Sequence, residues 1–357
     1  MTSTNDKILI VSQLGISNAG GVERVSYYLK EILEQNSYKV ELLTRGKFNF
    51  GKLSNLLWPI ILSLKLPFIK NKLVIGNSYH CFLYPADLSI HHGTARGELN
   101  HCKAAKARII IAWMEKISAK KAKKVLAVSW NCKKELIDYY KINPDKIEVF
   151  NNFVDENIFY PARLAYPAQS AIAASKNNSE KESISVLFSG ALTERKGIKK
   201  LIEFSDYIES HDLPYNIELK LASNSKEAFH FFENKKNTKI ISGMGIAEMP
   251  DFYRSGSLLI FPTLYEGFSM ATLEALASGL PVLGTDFAVT KELESFDFCK
   301  KDDFSDIAKT VENCISLYEK YSCRKEEISS TITKEFGKAA YEKKLLAFVE
   351  AAIKAKE

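Results

Sequence analysis

Two carboxylates eight residues apart frame a glycine turn in the stretch 262–286, PTLYEGFSMATLEALASGLPVLGTD. Glu266 opens the turn Glu266-Gly267-Phe268-Ser269, and Glu274 lies in the Ala- and Leu-rich run that follows. The apolar run Leu258–Phe261 predicts a buried strand and Ala271–Ser278 a helix, stopped by Gly279 and Pro281; Val282–Gly284 predicts the next strand. Glu266 is then expected at a strand's carboxyl end and Glu274 about two turns into the helix. Between them stand the amides of a helix N-terminus, which favour an anion. A ligand with a negative middle and hydroxyl-bearing ends suits that layout, and a nucleotide sugar is one: diphosphate at the amides, ribose and hexose hydroxyls on the two carboxylates.

The string EGFSMATLEALASGLPV resembles the E-x7-E signature of the retaining glycosyltransferases with the GT-B fold, the family of sucrose-synthase, phosphatidylinositol mannosyltransferase and lipopolysaccharide core glucosyltransferase type. Ser269 stands where the family usually has a second glycine. Other segments carry the resemblance along the chain. NAGGVER at 18–24, with Gly21, resembles the loop after the first strand; without the resemblance it reads as a glycine turn needing positive φ. His91-His92-Gly93-Thr94 matches a strand end where the family places a histidine near the sugar; His92 is favoured by its place before Gly-Thr, with His91 as its rival. NNFVDENIFYP at 151–161 resembles the segment that ends the first domain. Gly190 closes the strand-like VLFSG, and Arg195-Lys196-Gly197 follows; the family holds the diphosphate with an Arg and a Lys here. Its arginine directly follows the strand-end glycine, where this chain has Ala191, so Arg195 is the substitute. Cations ahead of a helix oppose its dipole, which points to a ligand that compensates them.

The resemblance implies two doubly wound, Rossmann-like α/β domains facing a cleft, with acceptor on the first and donor on the second. The expected boundaries are 1–160 for the first domain, 161–184 for a linker and 185–337 for the second, with a terminal helix in 338–357 returning to the first. It also implies transfer of a sugar from a nucleotide-diphosphate donor, UDP-sugar before GDP-sugar, to a glycan or glycolipid hydroxyl with retention and without metal or cofactor. Arg195 and Lys196 stabilise the departing diphosphate, Glu266 orients the sugar and Glu274 the ribose. His92 stands at the sugar, and Gly21, Gly190, Gly243, Met244, Gly267, Phe268, Ser269 and Met270 line the nucleotide sugar.

Composition bounds these expectations. At 357 residues and 46% apolar content the chain suits two globular domains. The six cysteines form no C-x-x-C pair, which argues for a reducing compartment and against a zinc site. No signal peptide or membrane-spanning run is read, and the expected location is cytoplasmic, on the inner face of the membrane. Residues 1–160 carry 23 Lys/Arg against 14 Asp/Glu, and residues 161–357 carry 26 against 29, so the first half is expected to meet something anionic. Two segments bear on which. LSNLLWPIILSLKLPFIKNK at 53–72 reads as a buried helix pair broken by prolines or as an apolar surface for a membrane interface. The helix expected over Ala104–Lys124 reads as a core helix with a basic face or as a membrane-surface helix. The competing functions are a GT-B epimerase and a non-catalytic basic binding subunit; no nucleic-acid-binding motif is present.

Overall fold

A computed structural model describes residues 7–12, 21–46, 54–69, 73–103, 106–162 and 181–356. The chain forms two compact units, one of residues up to Asn152 together with those from Ala339, the other of Phe153–Lys338. Each holds a six-stranded, all-parallel sheet.

The first unit runs β1 (Lys7–Val11), α1 (Gly21–Gln35), β2 (Lys39–Leu43), α2 (Ser54–Lys65), β3 (Leu73–Asn77), β4 (Leu88–His91), α3 (Ala95–His101), α4 (Ala107–Lys121), β5 (Lys124–Ala127), α5 (Trp130–Tyr140) and β6 (Ile147–Val149). Its strand order is β2-β1-β3-β4-β5-β6. Its inner strands are continuous apolar runs such as Ile8-Leu9-Ile10-Val11, fully buried as a sheet covered on both faces requires. Each such side chain contributes about 1.5–3 kcal/mol by leaving water. Pro59 does not break α2: it lies inside the helix, which a turn of 3-10 helix at Leu66–Phe68 continues. The expected helix at 104–124 is shorter, Ala107–Lys121, and residues 18–20 of the loop after the first strand lie outside the described residues.

The second unit runs β7 (Ser183–Ser189), α6 (Ile198–Ser210), β8 (Asn216–Ala222), β9 (Thr238–Ile241), α7 (Met249–Arg254), β10 (Leu258–Phe261), α8 (Met270–Ala277), β11 (Val282–Gly284), β12 (Cys299–Lys301), α9 (Ile307–Tyr321) and α10 (Lys325–Phe336). Between β8 and β9 the chain forms a 3-10 segment, Lys226–Phe231. The order is β12-β11-β10-β7-β8-β9, so β7 and β10 are neighbours from which the chain winds away in opposite directions. A sheet of this order opens a crevice at the carboxyl ends of those two strands.

Residues 153–162 pack with the second unit: Phe159 meets Tyr253 edge-on at 6.0 Å, and Arg254 lies 4.8 Å over the Tyr160 ring. The final helix α11 (Lys338–Lys354) packs on the first. Phe150 stacks on Tyr341 at 4.5 Å, Asn36 donates to Glu342 at 2.7 Å, and Lys356 pairs with Asp87 at 2.5 Å.

Candidate active site

The residues that resemble a donor site converge at the carboxyl ends of β7 and β10. Gly197, the residue before α6, has φ +80°, and a Cβ there would stand 2.1 Å from the Pro262 carbonyl oxygen. Only glycine lets the turn before α6 lie against the end of β10. The turn is tied down by the Leu264 amide, which donates to the Arg195 carbonyl at 2.7 Å, and by the Arg195 guanidinium, which donates to the Tyr265 carbonyl at 2.9 Å. Arg195 Nη1 then reaches Glu266 Oε1 at 2.7 Å, and Lys196 Nζ reaches the same oxygen at 2.5 Å. The Thr263 hydroxyl donates to that oxygen at 3.4 Å. Lys196 also lies 4.8 Å from the centroid of the Phe261 ring. Burial lowers the Lys196 pKa, an effect that Glu266 opposes and Arg195 reinforces.

This arrangement revises one sequence inference. Cations ahead of α6 need not signal a ligand, because Glu266 offsets them within the chain. Two cations and one carboxylate leave one positive charge in excess, so the cluster remains suited to an anion.

Glu274 is the fifth residue of α8, little more than one turn in rather than two. It is 4% exposed and accepts a hydrogen bond from the Tyr253 hydroxyl at 3.1 Å; Ser189, at the end of β7, bonds the same hydroxyl at 2.7 Å. Ser269 caps α8, its hydroxyl accepting from the Thr272 amide at 3.1 Å, and does the work of an N-cap that glycine does not do. The Phe268 side chain is buried and lies 5.7 Å from Phe336, so toward a ligand this residue offers backbone. Gly267 is buried beside it, and Met270 is half-buried. Gly190 (φ +141°) and Gly243 (φ +78°) hold left-handed-side conformations at the ends of β7 and just after β9. Gly243 is exposed next to the half-buried Met244, its amide donating to Asn224 Oδ1 at 2.7 Å.

In the first unit, Gly21 is the exposed first residue of α1. His91 is fully buried in β4, with Nε2 3.1 Å from Ser89 Oγ and Nδ1 unpartnered. His92 follows the strand, is half-buried, and sets Nε2 3.2 Å from Asn77 Oδ1. Burial, with a smaller contribution from neighbouring His80, lowers the His92 pKa to about 4, so its ring is neutral at pH 7. Asn77, Tyr253 and Thr263 carried no sequence signal, because each acts on a partner brought to it by the fold or by a turn.

Two parallel-sheet α/β domains with these sites at their strand ends define a GT-B glycosyltransferase. Residues 170–326 match the family model described as Glycosyl transferases group 1, and residues 80–158 match Glycosyltransferase Family 4; the chain belongs to these glycosyltransferases. It is 23% identical over 337 residues to the UDP-Gal:alpha-D-GlcNAc-diphosphoundecaprenol alpha-1,3-galactosyltransferase of Escherichia coli, covering 83% of this chain and 85% of the relative. It is 24% identical over 188 residues to the O-antigen chain mannosyltransferase RfbU of Salmonella typhimurium, covering 52% of this chain and 48% of the relative. Among solved structures, sucrose-phosphate synthase from Thermosynechococcus elongatus superposes with a TM-score of 0.79 at 14% identity, covering 98% of this chain and 100% of the other.

Proposed function

We propose that this glycosyltransferase moves a sugar, with retention, from a nucleoside-diphosphate sugar to a hydroxyl of a lipid-linked glycan in the synthesis of a bacterial surface polysaccharide. The observation that carries the reading is the Arg195–Lys196–Glu266 cluster at the carboxyl ends of β7 and β10. Arg195 and Lys196 take the diphosphate, and the charge that develops on the leaving group is neutralised by these two side chains without a metal. Glu266, released by that exchange, is positioned for the hydroxyls of the transferred sugar. Glu274, held by Tyr253, accepts from the ribose. No nucleophilic carboxylate is assigned; the departing diphosphate oxygen takes the acceptor's proton during front-face attack. The galactosyltransferase relative uses a UDP-sugar, which favours UDP over GDP here.

The same relative acts on a diphosphoundecaprenol-linked acceptor, and the first unit has a surface suited to such a lipid. Leu57, Ile60, Leu64 and Phe68 on and after α2, Leu83, and Ile109, Ile110 and Trp113 on α4 are exposed; Phe68 reaches 87% and Leu64 62%. Leu83 joins the two helices: its amide donates to Ser63 Oγ at 3.3 Å, its carbonyl accepts from Lys121 Nζ at 3.2 Å, and the adjacent Phe82 ring lies 6.0 Å from Trp113. Lys65, Lys106, Lys120 and Lys121 are exposed on the same helices or at their ends. Apolar side chains fringed by lysines fit an anionic membrane surface, here the cytoplasmic leaflet, with the enzyme bound peripherally. Among the described residues no helix is long and apolar enough to cross a membrane.

Thermal shifts with UDP, GDP, ADP, CMP and their sugar conjugates test the donor reading on wild type and Glu274→Ala. One nucleoside diphosphate is expected to raise Tm by several degrees in wild type and much less in the variant; no shift with any of them refutes it. Flotation with phosphatidylglycerol liposomes tests the surface. Reversing Lys116, Lys120 and Lys121 to Glu is expected to weaken binding at least tenfold, at about 1 kcal/mol per lysine. Unchanged flotation, or loss of RNA binding instead, counts against the membrane.

A further inference from the structure

The switch point of the first sheet is also organised by one side chain. Asn77 ends β3, beside the end of β1, and is completely buried. Its Nδ2 donates to the Val11 carbonyl at 3.1 Å and to Ser26 Oγ at 2.7 Å. Ser26 passes its own proton to Ser12 Oγ at 3.2 Å, which leaves its oxygen to accept from Asn77. A carbonyl oxygen only accepts, so the amide has one orientation: turning it over would set Oδ1 against the Val11 oxygen. Oδ1 therefore faces His92 Nε2 at 3.2 Å, and that nitrogen must carry the hydrogen. A neutral imidazole has one N–H, so the lone pair lies on His92 Nδ1.

The same residue sets the opposite tautomer on a second ring. His80 Nδ1 lies 2.6 Å from the Asn77 backbone carbonyl and must donate to it, leaving His80 Nε2 bare and buried. Asn77 thus addresses two histidines, His92 through its side chain and His80 through its backbone, and a substitution at 77 touches only the first.

We propose that Asn77 is a positioning residue that locks His92 as the Nε2–H tautomer and so keeps Nδ1 as a hydrogen-bond acceptor at the edge of the first sheet. The tautomer follows from the hydrogen-bond network alone. Asn77 touches no substrate. Its part is to keep His92 an acceptor on the atom that is not tied to the sheet, where a free imidazole would exchange between both forms.

The test is a two-bond 1H–15N correlation spectrum of the full-length, 15N-histidine-labelled protein at pH 7, with His92 signals identified by their loss in His92→Gln. Wild type is expected to show His92 as Nε2–H and His80 as Nδ1–H. Asn77→Ala is expected to send His92 to a tautomer mixture while His80 stays unchanged, and Ser26→Ala to alter neither, since the Val11 carbonyl still orients the amide. A wild-type His92 in the Nδ1–H form, or one already mixed, overturns the assignment whether or not the variants fold.

Discussion

Glu266 holds the two groups that the proposed diphosphate would need, and its carboxylate is 16% exposed at the side chain, so the pairing is partly shielded from water. Binding a diphosphate must break or share that pairing, and part of the attraction between ligand and cations goes to displacing the carboxylate. Glu266→Gln is expected to remove this competition. A free nucleoside diphosphate should then bind about fivefold tighter, the equivalent of about 1 kcal/mol for one partly exposed ion pair. Sugar transfer should fall at the same time, because the carboxylate that orients the hydroxyls is gone. Isothermal titration beside a turnover assay reads both; weaker nucleotide binding in the variant would mean that Glu266 itself helps to build the anion site. At this scale the sequence displayed the right residue types. It did not display that Arg195 and Lys196 point at Glu266, some 70 positions later in the chain, and so it assigned their compensation to a ligand alone.

The elements bring those positions together. The turn before α6 presses against the end of β10 because position 197 has no side chain, and the close approach is what seats Arg195 and Lys196 over the Glu266 turn. Gly197→Ala adds a methyl where the Pro262 carbonyl stands and places a non-glycine residue at φ +80°. It is expected to cost about 2 kcal/mol of stability, seen as a lower urea midpoint, and to weaken nucleotide binding in the protein that remains folded. A variant with wild-type nucleotide affinity would detach the turn from the site. The Lys-Gly pair was legible as a turn, and the glycine-stopped helix α8 as a helix. Glu274 is the fifth residue of α8 because the eight-residue spacing from Glu266 includes the turn at 266–269, which is not helix. Pro59 misled as well: it is the sixth of the twelve residues of α2 and costs the helix a backbone hydrogen bond, and the buried side chains of Trp58, Leu62 and Leu66 hold α2 and its continuation in place.

For the whole molecule, the buried histidines of the first unit couple folding to pH. Burial lowers His80 to about 4 and His91 to about 3, against about 6.5 in an unfolded chain. Below pH 6.5 the unfolded chain therefore takes up protons that the native unit refuses, and stability falls as pH falls. The slope is up to about 1.4 kcal/mol per pH unit for each histidine, between about pH 6 and 4. Urea midpoints should drop steadily from pH 7 to pH 5. In His80→Asn, whose amide keeps a donor toward the Asn77 carbonyl, the dependence should lose one histidine's share. A flat profile in wild type would mean that these rings are solvated in the native state.

Local chemistry and periodicity determined much from sequence alone. Apolar runs of strand length set between amphipathic segments dictate parallel α/β units, since such strands are buried on both faces. A helix opened by a glycine turn and carrying a carboxylate advertises a place for an anion and hydroxyls. The tertiary structure decided what depends on partners distant in the chain. It paired Glu266 with the cations of another loop, hung Glu274 from Tyr253, and left His91 inside the sheet with His92 at its edge. It also gave Asn77 its two histidines. Hydrogen bonds and ion pairs act over a few ångströms of space, and only the packed sheets bring residues 70 positions apart within that range.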